Sequence, residues 1–285
     1  MRRLIVTDST SDLPQQIIDE LNVTVLPVNV ILDGKIMKDR VEIKIEDFYD
    51  RFDSFNTMST SAVSYEEFAL LYLQLTQKYD EIIFIHCSSF LSKTYENVFN
   101  VHKDFKHKHN CRIEVIDTKQ CGMGLGLIVI EAARLMNKGE SFEEILTNIH
   151  HIAGQVSTYM AIPTLKYLRK SNRIGGAKAF FASAMGIKPV LGIEDGKLVV
   201  KTKLLGKQQN LLLSLMDTLT KEIGNSSVTI AISHAKEQTY VPSLISIFNS
   251  TFKCRKIYVT YFGPSIGINT GPETMGVTFY RHWIS

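Results

Sequence analysis

The sequence predicts an α/β protein of two domains: an amino-terminal α/β domain with a mainly parallel sheet over residues 1–160, and a carboxyl-terminal α+β domain over residues 161–285. Three observations lead there. Short apolar runs (Leu4-Ile5-Val6, then residues 82–85 and 113–116) alternate with amphipathic stretches, the pattern of buried parallel strands separated by helices. Ser64 with Glu67, and Ser141 with Glu144, are spaced as capping boxes opening two of those helices. After Gln155 the order changes to hairpin and strand signals mixed with helices, and no linker or internal repeat marks the change.

In order along the chain, Leu4-Ile5-Val6 reads as a buried strand and Asp12 as the cap of a helix that Leu13 and Pro14 open. Residues 23–32 are β-branched and alternating, and Asp33-Gly34 turns them into a hairpin. Helices are expected over 46–52, after Ser64 (Phe68, Leu71, Tyr72 and Leu75 at helical spacing), from near Ser92, and over 122–137 with Gly139 as its stop. In the second half, strands are expected at 157–162, 228–232, 256–261 and 276–280, and a hairpin over 189–203 around Asp195-Gly196. Helices are expected at 163–170, 177–185, 211–223 and 241–252.

Bulk properties exclude several functions. A net charge of +3, with both signs interspersed, is too small for nucleic-acid binding, which rests on many phosphate neutralisations. The most apolar segment, 125–135, is interrupted by Glu131 and Arg134, so no membrane span or stable membrane insertion is expected. The first apolar run is too short for a signal peptide, and four cysteines without paired spacing (Cys87, Cys111, Cys121, Cys254) disfavour a zinc site or redox dithiol. The expectation is a cytoplasmic protein with reduced thiols and no metal.

Three hydroxyl clusters carry the chemistry: Ser9-Thr10-Ser11, Ser59-Thr60-Ser61 with Ser64, and Ser88-Ser89 with Ser92 and Thr94. The first and third follow predicted strands, where ligands of open α/β sheets bind, and the second and third precede predicted helices. Such hydroxyls suit a carboxylate or phosphate; they equally cap helices and fill turns. Neutral donors fit an anion with a greasy remainder, since burying an arginine beside an alkyl chain costs desolvation. Met123, Leu125, Phe180, Phe181 and Met185 are candidate acyl-chain lining, and each buried methylene contributes about 0.8 kcal/mol, although apolar helical stripes usually form core. The stretch Gly263-Pro264-Ser265-Ile266-Gly267-Ile268-Asn269-Thr270-Gly271-Pro272 reads as a tightly shaped loop, either a structural turn or an anion loop. Arg173, between Asn172 and Gly175-Gly176, stands apart from the basic run Lys166, Arg169, Lys170 and Lys178.

Taken in order, Thr7-Asp8-Ser9-Thr10-Ser11-Asp12-Leu13, Thr60-Ser61, Ser88-Ser89-Phe90-Leu91-Ser92-Lys93-Thr94-Tyr95, Arg173-Ile174, Ile187-Lys188-Pro189, Asp195-Gly196, His234-Ala235 and the Gly-rich stretch resemble the bacterial DegV family over nearly the whole chain. The resemblance implies a non-catalytic protein with one long-chain fatty acid buried between its domains, the bound lipid being its only ligand and no cofactor being needed. It implies carboxylate binding by Thr60 and Ser92, with Ser61, Ser89 and Asn269 nearby, and contact of Arg173 with a partner or phosphate. Some members carry the lipid for a separate fatty acid kinase subunit, which phosphorylates the acyl carboxylate. This chain departs from the pattern: Asn269 stands where kinase-partner members usually have histidine. Lys93 and Glu273 replace glycines, Ser171-Asn172 replace paired glycines, and Leu205 falls where arginine is common. Asn donates a hydrogen bond but carries no proton or charge, so lipid transport or storage without a kinase stands beside the carrier reading.

Rival readings are weaker on the residues. A serine hydrolase using His86, Ser88 or Ser89 lacks the Gly-x-Ser-x-Gly elbow. His107 and His109 lie in a lysine-rich loop without acids, and adjacent His150 and His151 diverge around a helix, so neither pair makes a metal site.

Overall fold

The computed structural model describes residues 1–171, 173, 187–205, 208–236 and 239–282. Its first sheet has four parallel strands in the order β2-β1-β6-β7, formed by Arg3–Asp8 (β1), Thr24–Leu26 (β2), Glu81–His86 (β6) and Arg112–Asp117 (β7). All six residues of β6 are buried, as expected of a parallel strand covered on both faces. The two-residue period sorts them. Leu4, Val6, Ile82 and Phe84 face helices Tyr65–Lys78 and Thr94–Phe105, whereas Ile5, Ile83 and Ile85 face helix Met123–Lys138.

The second sheet has six strands in the order β10-β9-β8-β13-β11-β12, formed by Ser157–Ala161 (β8), Ile187–Glu194 (β9), Lys197–Leu205 (β10), Ser227–His234 (β11), Lys253–Tyr261 (β12) and Met275–His282 (β13). Only the β11–β12 pair is parallel; the others are antiparallel. Helices Gln208–Ile223 and Val241–Thr251 cover one face through Leu215, Leu219, Leu244 and Phe248. The chain is thus the two-domain α/β protein expected. Helix Met123–Lys138 lies between the two sheets, its core cluster taking in Ala231, Tyr258 and Tyr280 of the second. Its first eight residues are all buried. Gly126 allows close packing, because a Cβ there would sit 2.6 Å from the Ser11 carbonyl oxygen.

Several expectations are corrected. Residues 23–32 are two strands rather than one. Pro27, without an N–H for the ladder, separates β2 from Asn29–Leu32 (β3), which joins Lys35–Lys38 (β4) and Met58–Ser61 (β5) in a small antiparallel sheet. The turn at Asp33-Gly34 is as read, with φ of 47° and 82°. Asp12 does not open the next helix, Gln15–Leu21, whose N-cap is Pro14: it closes the short 3-10 turn Ser9–Ser11 in a left-handed conformation (φ 52°), and its Oδ1 accepts a hydrogen bond from the Gly263 N–H at 2.9 Å. The Gly-rich stretch is not a loop but a buried helix, Pro264–Thr270, opened by Pro264 and stopped by Gly271 at φ 95°. Of the two capping boxes only Ser141–Glu144 is reciprocal; Glu67 instead pairs with Lys38 at 2.6 Å. The helix expected over 177–185 lies outside the described residues.

Candidate functional site

A cavity of about 1110 Å³ opens at the carboxyl ends of the parallel strands, above the usual range for small-molecule sites of about 300–1,000 Å³. Thr10 follows β1, Cys87 and Ser89 follow β6, and Cys121 follows β7; all four line it. The opposite wall comes from Thr60 and Ser61 of β5 and from Ser265, Ile266, Ile268 and Asn269 of helix Pro264–Thr270. Met160, Leu168 and Leu198 supply further apolar wall. Polar donors therefore share one enclosure with an apolar surface.

Arg173 ties the polar end together. Its Nη2 donates to Thr60 Oγ1 at 2.8 Å, its Nη1 to Asn269 Oδ1 at 3.2 Å and its Nε to the Leu91 carbonyl at 3.0 Å. Burial pushes the guanidinium below its ordinary value, opposed by the Cys87 and Cys121 thiols; arginine stays charged even so. Asn269 Nδ2 donates to the Ser265 carbonyl at 2.8 Å, which fixes the amide with its oxygen toward Arg173. Ser92 Oγ donates to Thr94 Oγ1 at 3.0 Å and accepts from the Thr94 N–H at 3.2 Å, so it also secures the start of helix Thr94–Phe105. Ser61 Oγ accepts from Asn29 Nδ2 at 3.2 Å, and Ser89 Oγ from Lys119 Nζ at 3.4 Å.

The sequence-predicted head-group residues Thr60, Ser61, Ser89, Ser92 and Asn269 thus line one cavity together with Arg173. The acyl-lining expectation does not hold for Met123 and Leu125: neither lines the cavity, and both are buried in the core between the sheets. An apolar stripe reports burial, not the surface it is buried against. Phe180, Phe181 and Met185 lie outside the described residues. Sequence reasoning missed Met160, Leu168, Leu198, Ile266 and Ile268; a signal existed for Leu168, on the expected amphipathic segment 163–170. Of the first hydroxyl cluster only Thr10 reaches the cavity, and Ser9 donates instead to buried Asp39 at 2.8 Å.

The hydrolase arrangement does not assemble. His86 Nδ1 pairs with Asp8 Oδ2 at 2.9 Å, but Ser88 Oγ donates to the Gly196 carbonyl at 2.8 Å. Burial alone would raise the Asp8 carboxyl; bonds and charge from His86, with help from Thr10 and the Cys87 N–H, hold it below its ordinary value. Among the described residues there is no group of three metal-ligating side chains, and no helix is long and apolar enough to cross a membrane.

Two sheets enclosing one large cavity, with hydroxyls at the strand ends and an apolar wall beyond them, define an α/β protein of the two-domain type. The model of the uncharacterised DegV protein family matches residues 3–282, and the chain belongs to that family. A DegV domain-containing protein of Caldanaerobacter subterraneus is 29% identical over 275 residues, covering 96% of this chain and 97% of its own. A DegV family protein from Thermus thermophilus, described by its fatty acid binding, superposes with a TM-score of 0.87 at 28% identity, covering 99% of this chain and all of its own. A stearic acid-binding protein from Eubacterium ventriosum has the same fold, with a TM-score of 0.86, 22% identity and 97% coverage of both chains.

Proposed function

We propose that this protein binds a single long-chain fatty acid in the cavity between its two domains and acts as a carrier, not a catalyst. The carboxylate lies at the Thr60, Ser61, Ser89 and Ser92 end, beside Asn269, and the acyl chain runs along Met160, Leu168, Leu198, Ile266 and Ile268. The observation that carries this reading is the continuity of hydroxyl donors and apolar wall in one enclosure of about 1110 Å³. The fatty-acid-binding Thermus relative, alike over the full length, supports it. At about 0.8 kcal/mol per methylene, the hydrocarbon supplies most of the affinity and the hydroxyls fix the head.

The test is native mass spectrometry of the purified protein before and after adding oleate. A complex of one lipid per chain is expected; bare polypeptide that takes up no oleate refutes the reading. Delivery to a separate kinase subunit is a second reading, favoured by a cationic Arg173 at the head-group end. It predicts acyl phosphate when lipid-loaded protein, ATP and the host's kinase subunit are combined. No acyl phosphate from protein with confirmed lipid leaves transport or storage.

A further inference from the structure

We propose that Cys87 and Cys121 form a redox-sensitive dithiol in the cavity wall: a peroxide closes them into an intrachain disulfide, a small-thiol reductant reopens it, and a molecule filling the cavity shields them. Only the shielding by lipid rests on the fatty-acid reading above.

Nothing in the spacing pairs two cysteines so far apart in the chain; the parallel sheet does. β6 and β7 are adjacent strands, in register up to His86 and Asp117. The hydrogen bonding continues past their ends. The Thr118 N–H donates to the His86 carbonyl at 3.2 Å, and the Ser88 N–H donates to the Gln120 carbonyl at 2.9 Å. The peptide that joins Cys87 to Ser88 is therefore bonded to the peptide that joins Gln120 to Cys121. Neighbouring strands lie about 4.8 Å apart, inside the Cα separation of about 7 Å beyond which two cysteines cannot be bridged. The two thiols are in hydrogen-bond contact, both line the cavity, and both bear on the Arg173 guanidinium. Cys111 and Cys254, the other free thiols, lie outside the cavity lining and donate to the Arg112 and Phe248 carbonyls.

The pair is asymmetric, as a peroxide-sensing dithiol requires. Cys121 is half-buried, whereas Cys87 is 2% exposed and its thiol is pushed well up by the Cys121 contact and by burial. Cys121 is thus the sulfur that a peroxide reaches first. Its thiolate attacks one peroxide oxygen; the S–O bond forms, the O–O bond breaks, and hydroxide leaves with the thiol proton as water. Cys87 Sγ then attacks the sulfenic acid sulfur, forming the S–S bond, and its own proton departs with the displaced hydroxide as a second water. Two thiols are oxidised by two electrons, and one peroxide is reduced to two waters.

The experiment treats the full chain, stripped of any lipid on a hydrophobic resin, with hydrogen peroxide. Free thiols are then blocked with N-ethylmaleimide in denaturant, and the non-reduced peptides are mapped by mass spectrometry. One disulfide between residues 87 and 121 is expected, with the chain lighter by two hydrogens, Cys111 and Cys254 still blocked, and full reversal by dithiothreitol. Cys87→Ser should leave Cys121 as a sulfenic acid that dimedone traps, a label that native protein carries severalfold less. Four blocked thiols after peroxide, a bridge between other cysteines, or equal dimedone labelling overturns the proposal. The native map is read first, so a variant that fails to fold does not remove the test. Oleate, its binding confirmed by native mass spectrometry, should slow closure severalfold; loaded protein that closes at the same rate overturns the shielding. Protein that forms the bridge yet takes up no oleate defeats the fatty-acid reading and leaves the dithiol standing.

Discussion

Replacing Thr60 by Val and, separately, Ser92 by Ala should weaken oleate binding by unequal amounts, with Thr60 the larger. The difference follows from what each hydroxyl already does. Thr60 Oγ1 accepts from Arg173 and still has its proton to offer, so a carboxylate gains a new charge-assisted bond there. Losing such a bond costs about 1.5–3 kcal/mol, roughly 10- to 150-fold in affinity. Ser92 Oγ already spends its proton on Thr94 Oγ1, so binding a carboxylate exchanges one bond for another. The net loss there is about 0.5–1.5 kcal/mol, or roughly 2- to 12-fold. Both variants should also lose stability. Ser92 Oγ also holds the Thr94 N–H in the turn before the helix, so removing it costs about 0.5–1.5 kcal/mol, as for an ordinary hydrogen bond. Val at position 60, on half-buried β5, keeps the β-branched shape that a strand favours but takes an acceptor from Arg173, a loss of about 1–3 kcal/mol. Oleate titration by displacement of a fluorescent fatty acid, paired with thermal melting, reads both quantities. If Ser92→Ala proves the worse binder, or neither variant changes affinity, the placement of the head group is wrong.

Three further outcomes follow from buried groups. Burial pushes the Asp12 carboxyl well above its ordinary 3.8, against Arg40 and the Gly263 N–H, so its stabilising protonated form is complete at low pH and is lost as pH rises through the elevated value. Asp12→Asn keeps an acceptor for Gly263 and tolerates the left-handed backbone, so its melting temperature should gain on the native protein's between about pH 4.5 and pH 8; a gain that shrinks with rising pH contradicts this. Tyr49→Phe removes the buried O–H donated to the Phe262 carbonyl at 2.9 Å, costing about 1–3 kcal/mol and roughly 2–4 °C of melting temperature per kcal/mol; an unchanged melt would show that bond idle. The Cys121 contact and burial push the Cys87 thiol up, and burial takes Cys111 to about 11, so both should alkylate slowly in the folded protein at pH 8, as peptide mapping after iodoacetamide would show. Rapid labelling of Cys87 would contradict its placement.

How much of this was legible in the sequence depends on the range over which each feature is decided. Turn and cap chemistry is local, so Asp33-Gly34, Gly139 and the Ser141–Glu144 box could be read from neighbouring residues. Strand burial is nearly as local, because a parallel strand covered on both faces must be apolar throughout, as 82–85 are. The half-site at the strand ends was legible for a further reason. In a parallel sheet the carboxyl ends converge on one edge, so hydroxyls after successive strands are neighbours by topology alone. Met123 and Leu125 show where that logic stops. Their periodicity stated correctly that the helix is buried, but a second sheet, built from residues 157 onward, supplies the cover and takes the stripe away from the cavity. Asp12 does not open the next helix, because it ends the preceding turn in a left-handed conformation and its Oδ1 serves Gly263, 251 positions later, which no nearby residue announces. Arg173 belongs with Asp12: 113 positions separate it from Thr60, and its isolation among Asn and Gly marked it as unusual without saying what it faces. The cavity is therefore readable on the side where topology forces convergence. Its complement is set by long-range packing, which is why Thr60, Asn269 and Arg173 were named through the family resemblance alone, and why the hydrogen bonds that join them required the fold.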